Sequence, residues 1–387
     1  MKHPIIPKQI FLYQITMKNL YKFNIFSLLL LFISINVCAQ EFNDGVLRYK
    51  VLDEEEATCE VTGLVSYEIE GELVIPEVAA NQNTSYQVIS IGNVAFEGAS
   101  SIVSVTLPES IRTIGIGPFS NCQNLKEIIV DDKNKRYKSV DGVLYTTQID
   151  TLIQCPASFR DFTVPSSVKV IEVNAFAGCE KLQSINFSGV LNKIGIGAFR
   201  SCSALVSITI PEGIESIDDY TFAACSSLAT INFPSTLNGV RVWSFADCYS
   251  LKSLKFPESM KYLVIGAFYG CELQSITMMA EHFVEVDWDR VDHPTFPKLY
   301  VKEHLLDEYK NSYEWSCYFK EILPIPMDDK DSSGVESITV DKDAPFDIYN
   351  LNGMLVRKNA VKTDISGLNC GVYILKQGDA SQRIMIR

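Results

Sequence analysis

Apolar residues fall on a fixed beat through the middle of the chain. One unit sets Leu205, Ile208 and Ile210 in a Leu-x-x-Ile-x-Ile row, then Ile214 and Ile217, then Phe222, Cys225 and Leu228. The pattern returns at a constant period, marked by Phe176, Phe199, Phe222, Phe245 and Phe268. Cys179, Cys202, Cys225, Cys248 and Cys271 keep the same period, each three positions after its Phe. Self-similarity of this kind predicts a solenoid, in which each coil buries its apolar edge against the next. The Leu-x-x-Ile-x-Ile row predicts a short strand, whose intervening residues face away from the core.

Those outward residues are Ser184 and Asn186, Ser207 and Thr209, Thr230 and Asn232, and Ser253 and Lys255, with Ser104, Thr106, Ser275 and Thr277 in the flanking coils. Stacking would align them as two columns of hydroxyls, small amides and one lysine. Glu127 and Ile129 interrupt the pattern in the second coil. Hydroxyl side chains suit an exposed strand and stabilise it by cross-strand pairing. They would also make a flat polar surface for a protein or glycan. These columns lack aromatic platforms of the kind that sugar stacking and binding hot spots use.

A constant period of this length with L-x-x-L-x-L order is a leucine-rich-repeat signature. The expected fold is therefore a leucine-rich-repeat solenoid, mainly parallel β with short irregular or helical convex segments. It should be capped at both ends and followed by a small C-terminal β module. Repeats are expected over 88–280. From Phe119 to Phe176 is one period plus a longer extra stretch, so an insertion falls near 131–165. Asp141-Gly142 between apolar flanks predicts a hairpin there. The insertion either projects from the array or forms one degenerate coil.

The flanks are assigned by what a solenoid needs. An open array exposes the edge of its first and last coils, so 40–87 is expected as an N-terminal cap and 281–326 as a C-terminal cap. In the latter, Pro297 to Val301 predicts a strand and Leu305 to Tyr309 a short helix, with Trp315 and Phe319 covering the last coil. Residues 327–340 are polar and read as a linker. Residues 341–387 read as a β module, with a hairpin turning at Asn352-Gly353 and strands at Val372–Leu375 and Ile384–Ile386.

The start of the chain reads as a signal peptide over 1–39. Lys18 and Lys22 precede an apolar run from Ile25 to Val37, and Val37-Cys38-Ala39 fits a cleavage site. Met17 is an alternative start. The apolar run is too short for a comfortable transmembrane helix, so none is expected in the mature chain.

Composition narrows the partners. Beyond residue 39 there are 30 basic and 47 acidic residues, a net charge of −17. Such a body repels phosphate backbones and excludes nucleic acid as a natural partner. The 11 cysteines suggest a disulfide framework until their spacing is read. Six of them, Cys122 included, sit at one stacked position, where the first repeat has Ala99. A ladder of small, buried, free thiols fits this better than disulfides or a metal cluster.

Candidate chemistry is sparse. The mature chain has only His282, His293 and His304, and no nucleophile motif accompanies them. Asp287, Asp289 and Asp292 lack the glycine and terminal glutamate of a calcium loop. Glu54-Glu55-Glu56 reads as a solvated turn. No enzyme activity, metal or cofactor is expected.

The unit I-x-x-I-x-x-x-A-F-x-x-C-x-x-L-x-x-I-x-I-P, as in Leu191 to Pro211 and Ile214 to Pro234, closely resembles the BspA-like (Treponema pallidum-type) leucine-rich-repeat family. The resemblance covers about 88–280. It implies a secreted or surface-attached bacterial protein, with adhesion to host matrix proteins or other bacteria among the family's roles. The last module is similar to the C-terminal sorting domain of type IX secretion, through Ile348 to Val356, Ile365 to Leu368, Gly371 to Leu375 and Ile384 to Arg387. It lacks the Pro-Asn-Pro strand that opens that domain, so it is a sorting signal or a small end cap. Together these imply an exported, non-enzymatic protein at the surface of a Gram-negative bacterium, binding an extracellular protein, with host matrix among the candidates. The alternative is a glycan-binding component of a nutrient-capture system, which would cluster exposed aromatic residues on one face.

Overall fold

Two parallel β ladders and one turn-rich face run along the array of a computed structural model, which describes residues 40–67, 69–287, 296–326, 345–350, 355–361, 371–377 and 380–386. The expected signal peptide at 1–39, the expected linker at 327–340, His293, Asp289, Asp292 and the expected turn at Asn352-Gly353 lie outside the described residues. The chain divides into one compact unit ending at Pro324 and another beginning at Ile325.

The first ladder is built from the Leu-x-x-Ile-x-Ile rows. Gly71–Val74, Ile102–Leu107 and Glu127–Val130 pair in parallel. After a break the same face continues with Asp161–Val164 on Ser184–Phe187, then Ser207–Thr209 on Thr230–Asn232. Ser253–Phe256, Ser275–Met278, Phe296–Val301 and Phe319–Pro324 complete it. Buried and exposed residues alternate along these strands, as in the exposed–buried–exposed Ser207, Ile208, Thr209. A second, narrower ladder comes from the Ile-x-x-Ile rows, with Ser216–Ile217, Gly239–Val240, Tyr262–Val264 and Glu285–Asp287 pairing in parallel.

Between the second ladder and the next first-ladder strand, each coil turns through its Phe and Cys. Here coils bond through the backbone of alternate residues: the N–H of Phe199 donates to the Thr221 carbonyl (2.9 Å) and that of Phe222 to Ser244 (2.7 Å). Inside the coils the Phe rings stack. Phe176, Phe199, Phe222 and Phe245 follow one another at 5.0, 5.4 and 5.5 Å, all fully buried. Burying a side chain of this size contributes roughly 1.5–3 kcal/mol, so the stack is a main source of cohesion between coils.

The insertion is a partition inside the array and does not project from it. Tyr137–Val140 and Val143–Thr146 form the expected hairpin, turning at Asp141 (φ 50°) and Gly142 (φ 79°). Val143–Thr146 then pairs with Thr151–Gln154, which enters the second ladder against Val170–Ile171. Its side chains alternate between two apolar clusters: Val143, Tyr145 and Leu152 pack with the coils that follow, Leu144 and Ile153 with those that precede. The Ile128 N–H donates to the Gly142 carbonyl at 2.8 Å, closing the edge of the preceding strand. Phe162 meets Phe176 edge-on at 5.6 Å, at the near end of the renewed stack. The stretch is therefore a degenerate coil carrying a hairpin. On the turn face the break vanishes, since the Asn121 N–H donates directly to the Ala177 carbonyl (3.0 Å).

Both flanks stack further than expected of caps. Parallel pairing begins within 40–87, at Gly71–Val74 and at Thr58–Leu64 against Thr84–Ile91. At the other end, Phe296–Val301 and Phe319–Pro324 extend the first ladder by two strands beyond 280. Two short helices, Leu306–Asn311 and Tyr313–Ser316, lie between these strands and bury Tyr309 and Trp315. The Trp315 Nε1–H donates to the Val284 carbonyl and the Val284 N–H to Tyr309 Oη, both at 3.0 Å, so the aromatic pair clamps one backbone unit.

The C-terminal unit is a four-stranded antiparallel sheet in the order Leu355–Ala360, Phe346–Asn350, Gly371–Gln377, Ala380–Ile386. Phe346, Ile348, Ala360 and Leu375 form its core.

Candidate functional site

The polar columns exist as aligned rows. Register pairs Ser184 with Asp161, Asn186 with Thr163, Ser207 with Thr230, and Thr209 with Asn232. Ser253 pairs with Ser275 and Lys255 with Thr277. Asn186, Ser207, Thr209, Thr230, Asn232, Ser253 and Lys255 are exposed and Ser184 is half-buried. Two bonds link neighbours along the columns: Ser184 Oγ donates to Asp161 Oδ1 (2.5 Å), and Asn232 Nδ2 to Thr209 Oγ1 (3.1 Å). The columns run on to Lys298 and Tyr300 in the terminal coils. In the first coils they carry Glu72, Ser104 and Glu127 in one row, and Val74, Thr106 and Ile129 in the other. This surface offers hydrogen bonds at coil spacing and few charges.

The cysteine column is structural. Cys179, Cys202, Cys225, Cys248 and Cys271 are buried and unpaired, as is Cys122. The thiols of Cys122, Cys202, Cys225, Cys248 and Cys271 each donate to the carbonyl of the Phe one coil back, at 3.0 to 3.3 Å. Cys179 instead faces the carbonyls of Cys155 and Pro156 (3.7 and 3.8 Å), because the degenerate coil stands behind it. Burial pushes the Cys122 thiol up to about 12 and holds Cys202 well above the ordinary range. Thiols held neutral in this way are poor nucleophiles and poor metal ligands.

The other titratable candidates stay apart. His282 and His304 are exposed, and His304 Nε2 lies 3.8 Å from Glu281 Oε2, whose other oxygen holds Lys302 Nζ at 2.8 Å. Glu54, Glu55 and Glu56 occupy an exposed turn, where Glu54 accepts from the Tyr86 hydroxyl (2.7 Å). Among the described residues no group of three or more His, Cys, Asp or Glu is placed to hold a metal ion, and no helix is long and apolar enough to cross a membrane.

A cluster on the turn face escapes a reading of the repeat alone. Two residues before each repeat Phe from Phe96 to Phe245 the backbone turns left-handed: Val94 (φ 48°), Gly117 (52°), Asn174 (59°), Gly197 (61°), Tyr220 (58°) and Trp243 (58°). Glycine and asparagine suit that conformation; other side chains raise its energy by roughly 1–2 kcal/mol. Tyr220 and Trp243 occupy it nonetheless. Their ring centroids lie 5.9 Å apart, and Tyr269 continues the row 5.2 Å beyond Trp243. Tyr220 and Tyr269 are 41% and 40% exposed, and neighbouring Tyr249 is 51% exposed. The signal was present in the sequence: where the three preceding coils have Gly117, Asn174 and Gly197, two coils have Tyr and Trp.

With the geometry in hand, the array can be placed among known proteins. The "BspA type Leucine rich repeat region" family matches residues 79–141 and 147–274, with six copies. A leucine-rich repeat protein from Bacteroides ovatus is similar at 24% identity over 73% of this chain and 76% of its own, with a TM-score of 0.43. A leucine rich cell surface protein from Faecalibacterium prausnitzii shows 19% identity over 74% of this chain and 72% of its own, with a TM-score of 0.36. The leucine rich repeat protein of T. pallidum shows 22% over 62% and 86%, with a TM-score of 0.25. At these values none of the three assigns a ligand or an activity. No match is found among curated proteins. The coils at 79–141 and 147–274 form a BspA-type leucine-rich repeat array.

Proposed function

We propose that the chain is an exported, non-enzymatic repeat protein that binds an extracellular protein at the bacterial surface through the polar columns of its first ladder. The observation that carries this reading is the register of outward hydroxyls and amides over Ser184 and Asn186, Ser207 to Thr230, Thr209 to Asn232, and Ser253 to Ser275, on a ladder that continues to Phe319–Pro324. Rigid, evenly spaced hydroxyls and amides hold a partner's backbone without the loop ordering that weakens flexible binders. The leader-like segment at 1–39 and the module at 341–387, similar to a type IX sorting domain, support export.

A triple variant, Thr209→Arg, Thr230→Glu and Lys255→Glu, tests the surface. Purified full-length chain would be screened against immobilised extracellular-matrix proteins. The expected result is a saturable hit that the triple variant loses while its circular dichroism is unchanged. A folded triple variant that binds as before would remove the first ladder from the site.

A second reading has an observation of its own. Tyr220, Trp243 and Tyr269 are aromatic residues clustered on one face, as a glycan-binding component would have. Against it, Trp243 and Tyr269 stack at 19° with centroids 5.2 Å apart, so each turns a face on the other instead of offering it to a sugar. A glycan array that responds where the matrix screen is silent would reverse the ranking.

A further inference from the structure

We infer that the turn face at Tyr220, Trp243 and Tyr269 docks a lysine- and arginine-rich segment of a partner polypeptide. It is a second surface, separate from the polar columns.

Three observations converge on it. The first is position. Tyr220 and Trp243 sit in the left-handed turn that Gly117, Asn174 and Gly197 occupy in other coils and that Val94 shares in the first, and there two large rings replace small side chains on the turn face. The second is charge. Asp219 lies beside Tyr220 in sequence and accepts from the Val242 N–H (3.1 Å); Asp247 accepts from the Tyr249 hydroxyl (3.1 Å). Among the described residues no salt bridge reaches either carboxylate. The nearby bases are already committed, Arg241 to Asp218 (3.5 Å) and Lys252 to Glu272 (2.6 Å). Two carboxylates with neutral partners beside the strip are therefore open to an incoming cation. The third is the exposed ring surface. Tyr220, Tyr249 and Tyr269 each keep 40% or more of their surface exposed beside these acids, apolar area along which a methylene stem can lie.

Lysine and arginine match all three. They lie along apolar surface by their stems and carry the charged head to a nearby acid. A body of net charge −17 beyond residue 39 adds long-range attraction for a basic segment and speeds encounter at low salt. Aromatic residues clustered in this way are also the composition of a binding hot spot.

The test uses the full chain and a short fluorescent peptide of alternating lysine and glycine. A glutamate–glycine peptide and a cello-oligosaccharide serve as comparisons. The expected result is saturable binding of the basic peptide alone, weakening as salt rises. Trp243→Gly should weaken it by about tenfold or more. Glycine is native at this position in other coils, so the variant should melt within a few degrees of the parent. Asp219→Asn with Asp247→Asn keeps both neutral hydrogen bonds, and should weaken binding and flatten its salt dependence. Unchanged binding in folded Trp243→Gly, or in the double Asn variant, would overturn the inference, since it would leave only diffuse attraction to an acidic body. So would capture of the oligosaccharide in place of the peptide, or a dimer of the chain that Trp243→Gly dissolves.

Discussion

The Cys225 thiol donates to the Phe199 carbonyl of the preceding coil at 3.1 Å, and both side chains are fully buried. The bond joins the two residues that define the repeat. Cys→Ala at this point removes a small buried group and leaves a carbonyl with one partner fewer. Cys225→Ala should cost about 1–2 kcal/mol in urea unfolding. Full stability in this variant would mean that the thiol ladder is filler.

Thiol chemistry gives a second check. Cys317 is exposed, whereas the array cysteines are buried. A disulfide reagent at neutral pH should modify Cys317 in the folded chain and reach Cys122 through Cys271 only after unfolding. Rapid labelling of the ladder in native buffer would contradict the burial described above.

The same burial fixes a dependence on pH. Cys59 and Cys122 are pushed up to about 12 by desolvation, against an ordinary thiol value of 9.0. Above pH 9 the unfolded chain loses these protons while the folded chain keeps them. Their contribution is therefore complete below pH 9 and is lost as pH rises toward 12. Urea midpoints should fall across that window, and replacing both residues with Ala should flatten the fall.

Gly178 stands where the turn face bridges the insertion. Its φ is +79°, and a Cβ there would lie 2.5 Å from the Asn121 Cα. Gly178→Ala combines a left-handed alanine with a backbone clash, and should cost about 2–4 kcal/mol. Gly98→Ala shares the positive φ but meets nothing within 4 Å, so it should cost less. Equal thermal midpoints for the two variants would show that the stacking of coils across the insertion is loose.

The terminal clamp predicts an asymmetry between two aromatic substitutions. Trp315→Ala removes a fully buried indole and should cost about 3–5 kcal/mol. Tyr309→Phe keeps the ring but strands the Val284 N–H, and should cost about 1–3 kcal/mol. Calorimetry of the two variants would order them.

Much of the fold is legible because a repeat writes its own register. Once Phe199 and Phe222 are seen one period apart, stacking follows, and with it the outward position of Ser207 and Thr209. The insertion is legible as a break and as a hairpin at Asp141-Gly142. Its role as a partition is not, because Leu144 and Ile153 look like ordinary strand residues until the coils on either side are in place. The continuation of strand pairing into 40–87 and 281–326 is hidden for a related reason. Gly71–Val74 and Phe319–Pro324 lack the repeat's Phe-x-x-Cys turn, yet backbone pairing needs neither side chain. The strip at Tyr220 and Trp243 is hidden by averaging over the repeat: a column that usually holds Gly or Asn reads as a turn, and its exceptions carry no weight in the average.

The bond from Asn121 to Ala177 joins neighbours on the turn face that lie more than two periods apart along the chain, where neighbours elsewhere lie close to one. One side of the array keeps its spacing while the other takes in an additional length of chain. Such a corner is where a repeat protein can gain or lose sequence without disturbing the coils beyond it. Relatives of this array should differ in length at 131–165 more than anywhere else between Phe96 and Phe268.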